Sequence, residues 1–107
     1  MNIKRRIDGV TYDTKRAEQL AEYWTTELSR FDLNYLREGL YRQHGRLFLA
    51  GESGARMKYA KNAEGGGKVG GEGITLTTRE AAKEWIELTQ GSNAANANLL
   101  LDGFAII

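Results

Sequence analysis

The chain has 107 residues, 41% of them hydrophobic, with two Trp, five Tyr and three Phe, and 15 Lys/Arg against 14 Asp/Glu. That is enough apolar material for one core in a chain that buries roughly two-thirds of its unfolded surface, and too much for a disordered one. The absence of cysteine excludes a disulfide framework and a thiolate metal site, and a formal charge of +1 excludes the strongly basic kind of nucleic-acid-binding domain.

In chain order, Ile3 to Tyr12 is β-compatible, with Asp8-Gly9 as a tight-turn signal. Asp13 and Thr14 offer N-cap oxygens, and Ala17, Leu20, Ala21, Trp24 and Leu28 follow at helical spacing, which predicts an amphipathic helix over about 14–28. After the aromatic stretch Phe31-Asp32-Leu33-Asn34-Tyr35, residues 37–51 read as a β-hairpin turning at His44-Gly45, because a two-residue loop needs positive φ. That register opposes Tyr41 to Phe48 and Leu40 to Leu49. Leu40, Leu47 and Leu49 then share one face, while Tyr41 and Phe48 share the other; both faces are partly apolar, so helices are expected to cover one of them and something else the second.

Arg56 to Lys61 is compatible with a helical turn or a short irregular strand. The glycine run at 64–73 reads as a mobile loop, and Ile74-Thr75-Leu76 as a strand. Thr77-Thr78-Arg79-Glu80 matches a capping box with Thr77 as cap, opening a helix that ends near Gly91. Residues 92–101 are compatible with one more short helix, and the apolar end Phe104-Ala105-Ile106-Ile107 is suited to packing on its own domain or on a second copy, so a homodimer through this tail stays open. The predicted fold class is α+β in a single domain: a small antiparallel sheet of three to four strands, including the 37–51 hairpin, packed with helices at about 14–28 and 78–90, followed by a C-terminal extension at 92–107. With no stretch approaching the ~20 apolar residues of a membrane span and no apolar run behind Lys4-Arg5-Arg6, a soluble, untargeted, cytoplasmic protein is expected.

No motif carries chemistry. Gly65-Gly66-Gly67-Lys68-Val69-Gly70 spells G-x-G-x-x-G, but neither a preceding strand nor a following helix frames it, and Val69 stands where a Walker loop needs Ser or Thr. His44 is the sole histidine, which leaves no His pair for a metal, and its turn position explains it. Glu38 and Glu52, both adjoining the hairpin, are the best candidates for paired carboxylates, against the ordinary reading as surface or salt-bridging groups. No cofactor, metal or catalytic residue is therefore expected, and the protein reads as a non-enzymatic binder.

Charge is uneven along the chain: residues 37–68 carry seven Lys/Arg against three Asp/Glu, and residues 69–107 two against five. The run Arg56-Met57-Lys58-Tyr59-Ala60-Lys61, with Lys68 beyond it, interleaves cations with an aromatic. It suits a phosphate backbone with Tyr59 stacking on a base, or an acidic protein partner. The partner-binding residues expected are Tyr41, Arg42 and Arg46 on the hairpin and Arg56, Lys58, Tyr59, Lys61 and Lys68 on the basic stretch.

Tyr12-Asp13-Thr14 with Ala17, Phe31 to Tyr35, Gly39-Leu40-Tyr41-Arg42, Gly45 to Gly51 running into Glu52-Ser53-Gly54, Tyr59, and Leu76-Thr77 with Glu80-Ala81 and Trp85 resemble a family of small proteins carried by phages, plasmids and integrative elements. The resemblance spans about 10–90, with Gly51-Glu52-Ser53-Gly54 in place of the usual Gly-Glu-Gly-Gly, and transfers no catalytic residues. It implies a mobile-element context, where proteins of this size are often anti-CRISPR-like inhibitors. The implied function is steric inhibition of a bacterial defence complex, such as a CRISPR effector, by protein–protein contact in the host cytoplasm; the alternative is a small nucleic-acid-binding regulator.

Overall fold

A computed structural model describes residues 1–25, 27–90 and 101. Among the described residues the architecture is a small, mostly sheet domain with antiparallel strands and one complete helix. Strands β1 (Lys4–Ile7) and β2 (Val10–Asp13) form a hairpin; β3 (Glu18–Trp24), β4 (Leu36–Gln43), β5 (Arg46–Ser53) and β8 (Gly71–Thr77) form a four-stranded sheet in the order β3-β4-β5-β8. Between β5 and β8 the short strands β6 (Lys61–Asn62) and β7 (Lys68–Val69) pair with each other, and helix α1 (Arg79–Thr89) closes the order.

Both tight hairpins form where the sequence places them. Asp8 and Gly9 (φ 50° and 82°) and His44 and Gly45 (φ 55° and 72°) occupy the left-handed region, which two-residue turns require. Tyr41 pairs with Phe48 and Leu40 with Leu49. The two faces of the sheet then differ as the alternation dictates. Leu40 and Leu49 pack beneath Ala82, Trp85 and Ile86 of α1, together with Leu101. Tyr41, Phe48 and Ala50 pack beneath Ile3 and Tyr12 of the β1–β2 hairpin, with the Tyr41 and Phe48 rings stacked at 5.2 Å.

The helix expected at 14–28 is instead a turn followed by strand β3. The Asp13 oxygens do cap, but only one turn: Lys15 N–H donates to Asp13 Oδ1 at 2.9 Å, and the Arg16 and Ala17 N–H groups donate to the Asp13 carbonyl. Propagation stops because Thr14 is tied to the N-terminal strand, its Oγ1 accepting from Ile3 N–H at 3.0 Å and donating to the Met1 carbonyl. The helical spacing has a β explanation. The register against β4 shifts between Gln19 and Ala21, a bulge that lets Leu20 and Ala21, consecutive residues, both pack on the helix-covered side with Tyr23. An inserted residue converts a two-residue repeat into a local i, i+3 pattern.

Helix α1 forms as expected, with the cap one residue later. Thr78 Oγ1 accepts from Ala81 N–H at 3.1 Å, because Thr77 is committed to the ladder opposite Leu47; Glu80 then complements the positive end of the helix from its first turn. Within 64–73, Lys68–Val69 and the segment from Gly71 onward are strands. The expectations for a short helix over 92–101 and for the tail at 104–107 fall outside the described residues, Leu101 excepted.

Candidate interaction surface

Two polar systems organise the end of the sheet where β3 leads into β4. The first centres on Glu38, only 4% exposed, at mid-sheet on the face under α1. Its cross-strand partner is Gly51, and Gly51 pairs in turn with Gly73. Two adjacent glycines leave a trough. The Tyr59 ring fills it: a Cβ built on Gly73 would lie 3.6 Å from that ring, and one on Gly51 would overlap it. The trough thereby aims the Tyr59 hydroxyl at Glu38 Oε2 (2.6 Å), while Trp85 Nε1–H donates to Oε1 (3.0 Å) and Lys58 Nζ to Oε2 (2.8 Å). One carboxylate joins β4, the segment after β5, and α1.

Burial pushes the Glu38 carboxyl up, but the bonds from Lys58, Tyr59 and Trp85 outweigh it and hold it below the usual carboxylate range. A group with its pKa depressed on folding stabilises fully above the unfolded value and loses that contribution as pH falls through the folded value. We expect stability to decline on acidification below about pH 4.5, the onset set by an unperturbed glutamate, and to decline less in Glu38→Gln; urea midpoints at pH 7 and pH 3 measure the difference. Burial, then the Glu38 bond and charge, raise the Tyr59 hydroxyl far above its ordinary value, so it stays a donor at every accessible pH.

The second system holds two loops together. Gly54 N–H donates to the Tyr35 carbonyl and Arg56 N–H to the Leu33 carbonyl, both at 3.0 Å. Within the first loop, Asp32 N–H donates to the Ser29 carbonyl, Phe31 N–H to Ser29 Oγ, and Asn34 N–H to Asp32 Oδ1. Tyr35 donates its hydroxyl to Glu52 Oε1 at 3.1 Å, and Arg30 lies 3.6 Å from the other oxygen of Glu52. These side chains, with Phe31, Lys61 and Glu72, line an open cleft of ≈ 380 Å³.

Upon this framework stand apolar groups with no core to enter. Phe31 is 92% exposed, Trp24 48% and Leu33 47%. Trp24 ends β3 on the face away from α1, where the Arg37–Glu22 ion pair (2.6 Å) and Tyr35 border a second cleft.

The residues expected to bind a partner divide three ways. Tyr41 and Tyr59 are 5% and 8% exposed; their rings fill the hairpin-side core and the glycine trough, so neither ring is presented at the surface. Arg42 is paired with Glu18 and also donates to the Leu101 carbonyl. Arg46 is exposed at one end of β5, whereas Arg56, Lys61 and Lys68 are exposed near the other, about 23 Å away by strand rise. Lys58 bridges to Glu38. The carboxylates Glu38 and Glu52 lie on opposite faces of the sheet, because Glu38 opposes Gly51 and Glu52 opposes Arg37; they form no pair. Sequence reasoning missed Trp24 and Arg30 as surface groups, and Phe31 was legible only as part of an aromatic segment.

No family model, curated protein or solved structure matched the chain in comparison. The functional reading therefore rests on these residues. Among the described residues, no helix is long and apolar enough to cross a membrane.

Proposed function

We propose that the protein acts by binding another protein, without chemistry of its own, through the end of the sheet that carries Phe31, Leu33 and Trp24 with Arg30 and Arg56. The observation that carries this reading is Phe31. A phenylalanine held almost wholly in solvent, on a loop fixed by its own turns and stitched to its neighbour, has the property of an interface anchor: its ordering cost is met before the partner arrives. Exposed aromatics beside arginine favour a protein partner over a phosphate backbone, which rewards charge and not apolar area. On this reading the inhibition of a bacterial defence complex implied by the mobile-element resemblance would be steric occupancy of an effector surface.

The test compares wild type with Phe31→Ser/Trp24→Ser. Wild type is expected to retain a host defence nuclease and to inhibit it, and the double variant, folded to the same melting temperature, to bind at least roughly 30-fold more weakly, as loss of an anchor worth about 2 kcal/mol predicts. Retention unchanged by the substitutions would reject this surface.

A further inference from the structure

The opposite end of the molecule has a different character. Lys4, Arg6, Lys15, Arg16 and Arg46 are all exposed there, and Arg5 half-exposed. The β1–β2 hairpin turns Ile3 and Tyr12 inward to the sheet, so the alternate residues Lys4 and Arg6, opposite Asp13 and Thr11, lie on its outer face about 6.6 Å apart. The turn after β2 adds Lys15 and Arg16. The β4–β5 turn is docked alongside: Gln43 Oε1 accepts from Asp13 N–H at 2.9 Å, the His44 ring lies 3.2 Å from the Thr11 carbonyl, and that ring meets Tyr12 edge-on at 5.9 Å. This docking brings Arg46 to the same end. Lys4, Arg16, His44, Gln43, Thr11 and Asp13 enclose a cleft of ≈ 320 Å³ between the two turns.

Among the described residues, these cations form no ion pair. The ion pairs among the described residues join Arg30 to Glu52, Arg37 to Glu22, Arg42 to Glu18 and Lys58 to Glu38, and none involves this group. Residues 1–17 contain two acids, Asp8 in the β-turn and Asp13, whose Oδ1 is engaged by Lys15 N–H. The group also lacks apolar anchors. Tyr12 is buried, and Val10 is the one large hydrophobic exposed on this hairpin. A cationic ribbon that exposes no Phe, Tyr or Trp among the described residues offers counterion release but no stacking platform, which favours the backbone of a duplex over a single strand, and over a protein.

We propose that this face, formed by Lys4, Arg6, Arg16 and Arg46, is a second binding site that takes the phosphate backbone of double-stranded nucleic acid. It is independent of the Phe31 surface. The probe is a fluorescein-labelled 20-bp DNA duplex, followed by anisotropy from 50 to 200 mM KCl. Four phosphate contacts predict a slope of about −3.6 in log K against log salt, a weakening of about 150-fold over that range. Lys4→Gln/Arg6→Gln and Arg16→Gln/Arg46→Gln are each expected to lower the slope by about 2 and to weaken binding at 50 mM KCl by about tenfold or more. All four side chains are exposed, so the melting temperature of each pair should match wild type, and Phe31→Ser should bind the duplex normally. No saturable binding at 50 mM KCl, wild-type affinity in both folded double variants, or tighter binding of a single-stranded 20-mer or of poly-L-glutamate would each overturn the proposal.

Discussion

Replacing Glu38 with Ala should cost about 3–5 kcal/mol, the range seen when one member of a buried charged network is removed and its partners are left behind. The substitution strands the Tyr59 hydroxyl and the Trp85 indole N–H, both donated to Glu38 by buried side chains, and each loses that acceptor. Such losses are of order 1–3 kcal/mol apiece, and domains of this class hold only about 5–15 kcal/mol in total. A fall in the urea midpoint at unchanged m-value measures the cost. Lys58→Ala makes the internal comparison: its side chain is 47% exposed, water replaces its bond, and it should cost less than about 1 kcal/mol. Equal costs for Glu38→Ala and Lys58→Ala would sink the idea of a buried hub.

Gly51→Ala should be nearly as damaging as Glu38→Ala, although it adds a single methyl. The new Cβ would overlap the Tyr59 ring and stand 2.7 Å from the Arg37 carbonyl, and the second contact is backbone that no rotamer change relieves. Overpacking alone costs about 1–3 kcal/mol; shifting the ring also pulls its hydroxyl from Glu38, for a combined loss of about 3–4 kcal/mol. A double-mutant cycle with Tyr59→Ala separates the parts. If the glycine exists to seat the ring, the two changes together should cost at least about 1 kcal/mol less than their sum; strict additivity would show that the Arg37 contact alone matters.

Features with local causes were legible in the sequence. The His44-Gly45 turn, its register, the division of Leu40 and Leu49 from Tyr41 and Phe48, and the α1 helix all follow from alternation, positive φ and capping, which neighbours a few residues away decide. What failed depended on distant partners. Strand β3 looks helical in isolation, and only pairing with β4 discloses the bulge behind Leu20-Ala21. Tyr41 and Tyr59 read as surface anchors beside arginines and lysines until the β1–β2 hairpin and the Gly51–Gly73 trough are seen to enclose them. The reverse error hid Phe31, since an aromatic in sequence carries no mark of whether a core will receive it. The basic end was obscured for a further reason: Lys4, Arg6 and Arg16 are far in sequence from Arg46, and net charge averages them against acids elsewhere.

The bulge in β3 has a consequence for life in a crowded solution. β3 is the border of the sheet beyond β4, and a straight border strand offers its free amides and carbonyls as a template on which another molecule can build. The irregularity between Gln19 and Ala21 breaks that template near the start of the strand, so a foreign strand finds a regular run only from Ala21 to Trp24. A variant that straightens β3 by deleting Leu20 would restore the template, exchanging a guarded margin for one open to filament growth.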